Sequence, residues 1–125
     1  MSSPPLPNYL RANRKCLGLS QEEVAFLVGF LGESKGSGVS RDESFTRDPS
    51  LRSALAYALI YQKTIDEIFA GLRQEVEKEV ATRAKLLTYR KGLNNDPKGI
   101  RKRELFAKLA ALLSKGSLKK KRDDK

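Results

Sequence analysis

The stretch Gly18-Leu19-Ser20-Gln21-Glu22-Glu23-Val24-Ala25 contains the start signal of a helix. A serine followed three residues later by a glutamate forms a capping box. In it, Ser20 Oγ accepts a hydrogen bond from the Glu23 N–H, and the Glu23 carboxylate accepts one from the Ser20 N–H. A helix is therefore predicted to begin near Gln21. Its predicted core face consists of Val24, Ala25, Leu27 and Val28, with Gly29 as its end.

Helical signals of the same kind precede and follow this stretch. Residues 9–17 carry apolar side chains at helical spacing up to Gly18, which predicts a first helix. A short third helix is predicted around Val39, after a glycine-rich stretch. The Asp48-Pro49 pair offers an N-cap and a first-turn proline for a fourth helix. The core face predicted for that helix consists of Leu51, Leu55, Leu59 and the neighbouring alanines.

Two further helices are predicted in the rest of the chain. Thr64 and Glu67 form a second capping box, after which apolar residues keep spacings of three and four up to Leu87. Only Gly71 weakens this pattern, so one long helix is predicted to about residue 90. The Asp96-Pro97 pair then starts an amphipathic helix. Its apolar side consists of Leu105, Phe106, Leu109, Leu112 and Leu113, and the predicted fold class is all-α.

The composition narrows the function classes. The chain of 125 residues has no histidine and one cysteine, Cys16. A Ser-His-Asp triad, a Cys-His pair and a multi-thiol zinc site are therefore excluded within one chain. We expect neither an enzyme nor a bound cofactor or metal. Because the N-terminus lacks a signal-peptide pattern and no apolar run could cross a bilayer, a soluble cytoplasmic protein is predicted.

The net charge of +10 is concentrated at the C-terminal end. Residues 1–89 carry 12 Lys and Arg against 11 Asp and Glu, whereas residues 90–125 carry 13 against 4. A segment this basic attracts polyanions, because each neutralised phosphate releases condensed counterions. The alternative interpretation is a solvated tail that aids solubility.

Several short motifs occur in a recognisable order. They are Leu-Ser-Gln-Glu-Glu-Val-Ala from Leu19, Val-Ser-Arg-x-Glu from Val39, Arg-Asp-Pro-Ser-Leu from Arg47, an alanine-rich helix, and Ile-Asp-Glu-Ile-Phe from Ile65. Together they resemble the lambda-repressor-like (Xre/Cro type) helix-turn-helix over about residues 6–70. The resemblance implies five short helices, with helix three entering the major groove of double-stranded DNA. It also implies a sequence-specific, nucleoid-associated transcriptional regulator that binds a two-fold related site as a homodimer.

The resemblance also implies roles for individual residues. Gln21 matches a glutamine that touches the DNA backbone and braces the recognition helix. Arg41 is the best candidate for a guanine or phosphate contact, because its guanidinium can donate two hydrogen bonds at once; the alternative is an ion pair with Glu43 or a nearby acid. Arg47, Ser50 and Arg52 are suited to backbone contacts. The turn and the first part of helix three present Lys35, Ser37, Gly38, Ser40 and Arg41.

Three features depart from the family pattern. The segment between helices two and three is longer by about three or four residues, which leaves the angle between these helices open. Asp42 stands where the family places an apolar anchor, and burying an unpaired carboxylate is costly. Helix three is therefore expected to be short, rotated or mobile. Phe45 replaces a common glycine and is expected to turn inward, with an exposed partner contact as the alternative.

The chain is predicted to contain three parts. Residues 1–70 form the helix-turn-helix domain, residues 71–91 a helical extension suited to dimerisation, and residues 92–125 a basic helix with a disordered tail. The apolar side of the last helix would pack within the chain or against a second subunit; binding to an anionic membrane is the weaker alternative. The residues expected to contact phosphates without sequence preference are Lys98, Arg101, Lys102, Arg103, Lys119, Lys120, Lys121 and Arg122.

Other functions stay open at this stage. One is a protein-interaction module, such as an antitoxin or adaptor, because Asp42, Glu43 and Asp48 would repel phosphate near the reading surface. Another is a non-specific nucleic-acid binder that uses the basic segment. Residues 29–37 do not form a phosphate-binding loop, because their spacing is wrong and no strand precedes them. No small-molecule effector and no membrane partner are predicted.

Overall fold

The computed structural model describes residues 5–30, 36–89 and 95–113. Over these residues the chain consists of α-helices and contains no β-strand, so the all-α prediction is confirmed. No helix in these ranges is long and apolar enough to cross a membrane. The helices are α1 (Leu10–Cys16), α2 (Gln21–Val28), α3 (Ser37–Glu43), α4 (Leu51–Tyr61), α5 (Ile65–Ile68), α6 (Ala70–Thr88) and α7 (Pro97–Ala110).

The chain divides into two compact units, residues 1–73 and residues 74–125. The first unit contains α1 to α5 and the first turn of α6. The second contains the rest of α6, in which Ala81 and Ala84 are buried, and α7. Residues 1–4, 31–35, 90–94 and 114–125 lie outside the described residues.

Both predicted capping boxes are present. Ser20 Oγ accepts from the Glu23 N–H at 3.0 Å, and the Glu23 carboxylate accepts from the Ser20 N–H at 2.8 Å. Thr64 and Glu67 make the same pair of bonds at the start of α5. The N–H donated by Thr64 lowers the pKa of the Glu67 carboxyl group. These local signals set the starts of α2 and α5 as the sequence predicted.

The core of the first unit lies among α1 to α5. Leu10, Val24, Val39, Tyr57 and Ile68 are fully buried there, and each comes from a different helix. Such a core is formed by long-range contacts between short helices, because no single helix here is long enough to be stable alone.

The face of α4 that enters this core is the predicted one only in its alanines, since Ala54 is buried and Ala58 packs against the core. Ser50, and not Asp48, caps the helix by accepting from the Ser53 N–H at 3.1 Å. The side chains that pack inward are Ala54, Tyr57 and Tyr61. The predicted core residues Leu51, Leu55 and Leu59 are instead 72%, 50% and 73% exposed.

Two other apolar residues point outward against expectation. Leu27 was predicted in the core face of α2 but is 55% exposed, whereas Val24 and Ala25 are buried as predicted. Phe45 was expected to turn inward but is 46% exposed, and it has a φ of 65°. Glycine adopts this left-handed backbone without steric cost, whereas a side chain such as that of Phe45 is unfavourable there.

The long helix predicted from Ile65 to about residue 90 is interrupted. Helix α5 ends at Ile68, and Phe69 has non-helical dihedral angles before α6 begins. Gly71 has a packing role there, because its N–H donates to Leu6 O at 2.9 Å. A Cβ on Gly71 would clash with the Leu6 carbonyl group and approach Pro5 O to 2.7 Å. The N-terminal arm therefore packs directly on the first turn of α6.

Candidate nucleic-acid interface

Helix α3 has one inward and one outward side. Gly38, Val39, Asp42 and Glu43 are buried, whereas Ser40 and Arg41 are exposed. The α3 sequence, Ser-Gly-Val-Ser-Arg-Asp-Glu, therefore places its two acidic residues inside and its one basic residue outside. The geometry of these two acids determines what the outer side of α3 can do.

Glu43 is held by side chains from two other helices. Arg14 of α1 donates from Nε to Glu43 Oε2 at 2.6 Å and from Nη2 to Oε1 at 3.1 Å. Gln21 of α2 donates from Nε2 to the same Oε1 at 3.1 Å. The hydrogen bond to Glu43 raises the pKa of Arg14, so the guanidinium group stays charged. This cluster fixes α3 to α1 and α2.

Asp42 is fully buried and has two charge-assisted partners. Arg47 Nε donates to Asp42 Oδ1 at 2.7 Å, and the Tyr57 hydroxyl donates to Oδ2 at 2.6 Å. The Asp42 carbonyl also accepts from Asn8 Nδ2 at 3.0 Å. Helix three was expected to be short, rotated or mobile, and α3 is indeed short, at seven residues. Its Asp42 is nevertheless firmly packed, because a buried carboxylate is tolerated when its lone pairs are satisfied.

Two predicted DNA-contacting residues take part in this internal network. Gln21 of α2 contacts α3 by donating to Glu43. Arg47 donates to Asp42 and, from Nη2, to Gly38 O at 3.2 Å. Its guanidinium also lies 5.4 Å from the centre of the Phe30 ring. Both side chains stabilise the position of α3, and both remain partly exposed.

The other predicted residues of the first unit lie at the start of α3 or α4. Ser37 is half-buried, whereas Ser40, Arg41, Ser50 and Arg52 are exposed. The Ser50 hydroxyl is engaged in the α4 cap, where it also donates to Ser53 Oγ at 3.2 Å. This hydroxyl group therefore orders the N-terminus of α4. Lys35 lies outside the described residues.

A shallow cavity of about 160 Å³ lies between α1, α2 and α3. It brings Arg11, an exposed residue of α1, to the same depression as Ser40 of α3. Arg11 was not among the predicted contacts. Its sequence position shows only that it belongs to the polar side of the first helix. The packing of α1 against α3 is what places it here. The full lining is Arg11, Arg14, Gln21, Ser40, Glu43 and Ser44.

The basic residues of the second unit lie on α7. Asp96 caps this helix by accepting from the Gly99 N–H at 2.9 Å, as the sequence predicted. Lys98, Arg101 and Lys102 are exposed, and Arg103 Nη2 donates to Asn95 Oδ1 at 2.8 Å. Lys119, Lys120, Lys121 and Arg122 lie outside the described residues. In the described ranges no three His, Cys, Asp or Glu side chains are grouped to hold a metal.

Comparisons with protein-family models, with curated proteins and with solved structures find no match to this chain.

Proposed function

We propose that this chain is a sequence-specific DNA-binding regulator of transcription, in which α2 and α3 act as a helix-turn-helix and two copies bind a two-fold related site. The observation that carries the proposal is the fixation of α3 by two buried acids. Asp42 is tied to α4 and Glu43 to α1 and α2, while Arg41 stays on the outer side. A recognition helix needs this combination, because its side chains must be held in register with base edges.

The dimensions of α3 agree with this role. An α-helix with its side chains is about 10–12 Å in diameter, which fits the major groove of B-DNA, about 12 Å wide. Arg41 would donate to guanine O6 and N7 or to two phosphate oxygens. Ser40 would contact a base edge or a phosphate, and Arg11 a phosphate beside the cavity between α1, α2 and α3.

The charge distribution also supports DNA binding over the alternatives. Asp42 and Glu43 suggested a surface that repels phosphate, yet both are buried and paired with Arg47 and Arg14. Arg41 is exposed on α3 itself, and Arg11 is exposed beside Ser40 at the cavity between α1, α2 and α3. Of the three acids that the sequence placed near the reading surface, Asp48 is the one that is exposed.

The basic helix α7 and the tail would add affinity without choosing a sequence. Lys98, Arg101 and Lys102 are exposed on consecutive turns of α7, where each phosphate contact would be salt dependent. The two parts of the chain would therefore have different roles in binding DNA. The first unit would choose the site, and residues 98–122 would supply much of the salt-dependent affinity.

Selection of genomic DNA fragments by the purified protein tests this proposal. The matched variant replaces Lys119, Lys120, Lys121 and Arg122 with Gln and leaves α1 to α7 unchanged. We expect both proteins to enrich the same short sequence, with the variant showing weaker binding and a shallower salt dependence. If neither protein enriches a sequence, or if the variant loses all binding, then the first unit does not read DNA.

A protein-interaction module is the second candidate, because α4 exposes three leucines. An antitoxin or adaptor would use such a surface to bind a different protein. A stable complex with another cellular protein, recovered without DNA and lost on substitution of these leucines, would favour this function.

A further inference from the structure

Gln21, the first residue of α2, contacts α3 near both of its ends. At one end, a Cβ added to Gly36, the residue before α3, would lie 2.8 Å from Gln21 Cβ and 2.9 Å from the Gln21 carbonyl carbon. At the other end, Gln21 Nε2 donates to Glu43 Oε1 at 3.1 Å. Gly36 and Glu43 are about two helical turns apart, so they lie on the same side of α3. Gln21 therefore contacts α3 along most of its length.

The contact with Gly36 involves backbone atoms and cannot easily adjust. A Cβ at 2.8 Å from another carbon must displace one of the two groups. The capping box at Ser20 fixes the start of α2, so the Gln21 backbone is not free to move away. The contact with Glu43 is different, because it joins the ends of two long side chains. A side chain at position 36 would therefore move the N-terminal end of α3.

Gly36 differs in this respect from two other glycines with a positive φ. Its φ is 81°, and those of Gly18 and Gly29 are 73° and 99°. All three positions favour glycine because of their left-handed backbone. A Cβ on Gly18 or Gly29 would meet nothing within 4 Å, whereas Gly36 is buried against Gln21. Among these three glycines, packing requires glycine at position 36 alone.

The length of the connection between α2 and α3 makes this contact important. The connection is longer than in the related family, and the sequence alone left the angle between the two helices open. The free-energy cost of closing a flexible loop rises only slowly with its length, so a longer connection does not by itself select one angle. Contacts outside the connection must therefore select it.

We propose that Gly36 is a positioning residue of the DNA-reading surface, and that its close approach to Gln21 sets the angle of α3 to α2. With a side chain at position 36, the N-terminal end of α3 would move outward, while Glu43, held by Arg14, keeps the other end in place. The helix would rotate and carry Arg41 with it. Recognition requires contacting groups to be held within about 0.5 Å and 10–20°. The effect on DNA binding rests on the proposed function, but the effect on the angle does not.

Residual dipolar couplings of the backbone N–H groups, measured without DNA, give the angle between α2 and α3. We expect Gly36→Ala to change this angle. Gly18→Ala is the matched control, because Gly18 has a similar φ and its added methyl group would meet nothing within 4 Å. The control should lower the melting temperature and keep the angle of the parent chain. An unchanged angle in Gly36→Ala, or an equal change in both variants, overturns the proposal.

Lengthening the connection tests the same inference without a change at Gly36. Insertion of two serines after Gly32 adds chain between the two helices and alters none of the described residues. We expect the angle of the parent chain in this protein, because the contacts of Gln21 with α3 are kept. A changed angle would show that the connection sets it. That result overturns the proposal even if Gly36→Ala does not fold.

Selection from random double-stranded DNA connects the angle with recognition. We expect Gly36→Ala to lower the ratio of affinities for the preferred site and for random DNA by roughly tenfold, about the value of one base contact. Gly18→Ala and the insertion variant should keep the ratio. A changed angle in Gly36→Ala together with the preference of the parent chain would contradict its role in recognition. If the parent chain selects no sequence, the proposed function fails, and the measured angle still decides whether Gly36 positions α3.

Discussion

The Tyr57 hydroxyl donates a hydrogen bond to Asp42 Oδ2 over 2.6 Å, and both side chains are fully buried. This contact joins α4 to α3 and determines which side of α4 faces the core. If the leucine side of α4 were turned inward, Tyr57 would leave the core and Asp42 would lose a partner. A charged hydrogen bond lost in the interior costs more than an exchange of one apolar surface for another. The exposure of Leu51, Leu55 and Leu59 follows from this one requirement.

Removing the Tyr57 hydroxyl should destabilise the fold. Tyr57→Phe leaves Asp42 Oδ2 without its donor, and we expect a loss of about 1–3 kcal/mol in the free energy of unfolding. Tyr61 is the matched control, because its ring stacks on Tyr57 at 6.1 Å and its buried hydroxyl has no hydrogen-bond partner among the described residues. Tyr61→Phe should be neutral or stabilising by up to about 1 kcal/mol. Urea denaturation of both variants measures the difference, and equal losses would contradict the role given to Asp42.

Alkaline pH should unfold the protein through these tyrosines. Burial is the main cause that raises the pKa of Tyr57 above its ordinary value of 10.0, and the hydrogen bond to Asp42 adds to it. Burial and the charge of Glu43 raise the pKa of Tyr61 as well. A raised pKa in the folded state means that stability is complete below about pH 10 and falls as the pH rises further.

Each buried tyrosine should contribute a slope of about 1.4 kcal/mol per pH unit above that point. Tyr61→Phe should make the decline in unfolding free energy shallower without lowering stability at neutral pH. The measurement is a series of denaturation curves from neutral to alkaline pH. A decline of unchanged slope in the Tyr61→Phe protein would show that this tyrosine ionises freely.

Phe45 should tolerate glycine better than alanine. Its φ of 65° lies in the left-handed region, which is unfavourable for any side chain and easy for glycine. Its ring is 46% exposed, so little packing is lost on truncation. We expect Phe45→Gly to stabilise the fold by about 0.5–1 kcal/mol and Phe45→Ala to be neutral or destabilising. A thermal melt in which alanine is the more stable of the two would argue against this backbone conformation.

Replacing Gly71 with alanine should destabilise the fold, although the same change inside a helix normally stabilises it. Alanine in place of glycine inside a helix gains up to about 1 kcal/mol on propensity alone. At Gly71 the added methyl group would clash with the backbone of Leu6, which can move only if the arm leaves α6. We expect Gly71→Ala to destabilise the first unit by roughly 1–3 kcal/mol. A gain in melting temperature would mean that the arm does not pack on α6.

Local signals in the sequence were sufficient to predict where several helices begin. The capping boxes at Ser20 and Thr64 each involve residues three apart, so no tertiary contact is needed to form them. Asp96 and Pro97 likewise marked the start of α7 correctly. At α4 two residues, Asp48 and Ser50, could cap the helix, and Ser50 is used where Asp48 was predicted.

Tertiary contacts account for what the sequence did not reveal. In α4 both sides of the helix show apolar residues at helical spacing, so periodicity alone could not choose between Leu55 and Tyr57. Which side of α4 faces the core depends on Asp42, which is distant in sequence. In the sequence, Asp42 was a departure from the family pattern and gave no sign of this contact. Arg11 and the cavity between α1, α2 and α3 depend on how α1 packs on α3. The break at Phe69 lies in an otherwise regular apolar pattern.

The central claim is that side chains on the outer side of α3 recognise the DNA sequence. Substitution of Arg41 tests this claim most directly. Arg41→Gln and Arg52→Gln each remove one exposed positive charge, the first from α3 and the second from α4. Both proteins should be compared with the parent chain by selection from random double-stranded DNA. We predict that Arg41→Gln changes or relaxes the preference at one base pair, worth about 1–3 kcal/mol, whereas Arg52→Gln weakens all sequences alike. An unchanged preferred sequence in the Arg41→Gln protein, with losses equal to those of Arg52→Gln, would contradict the account.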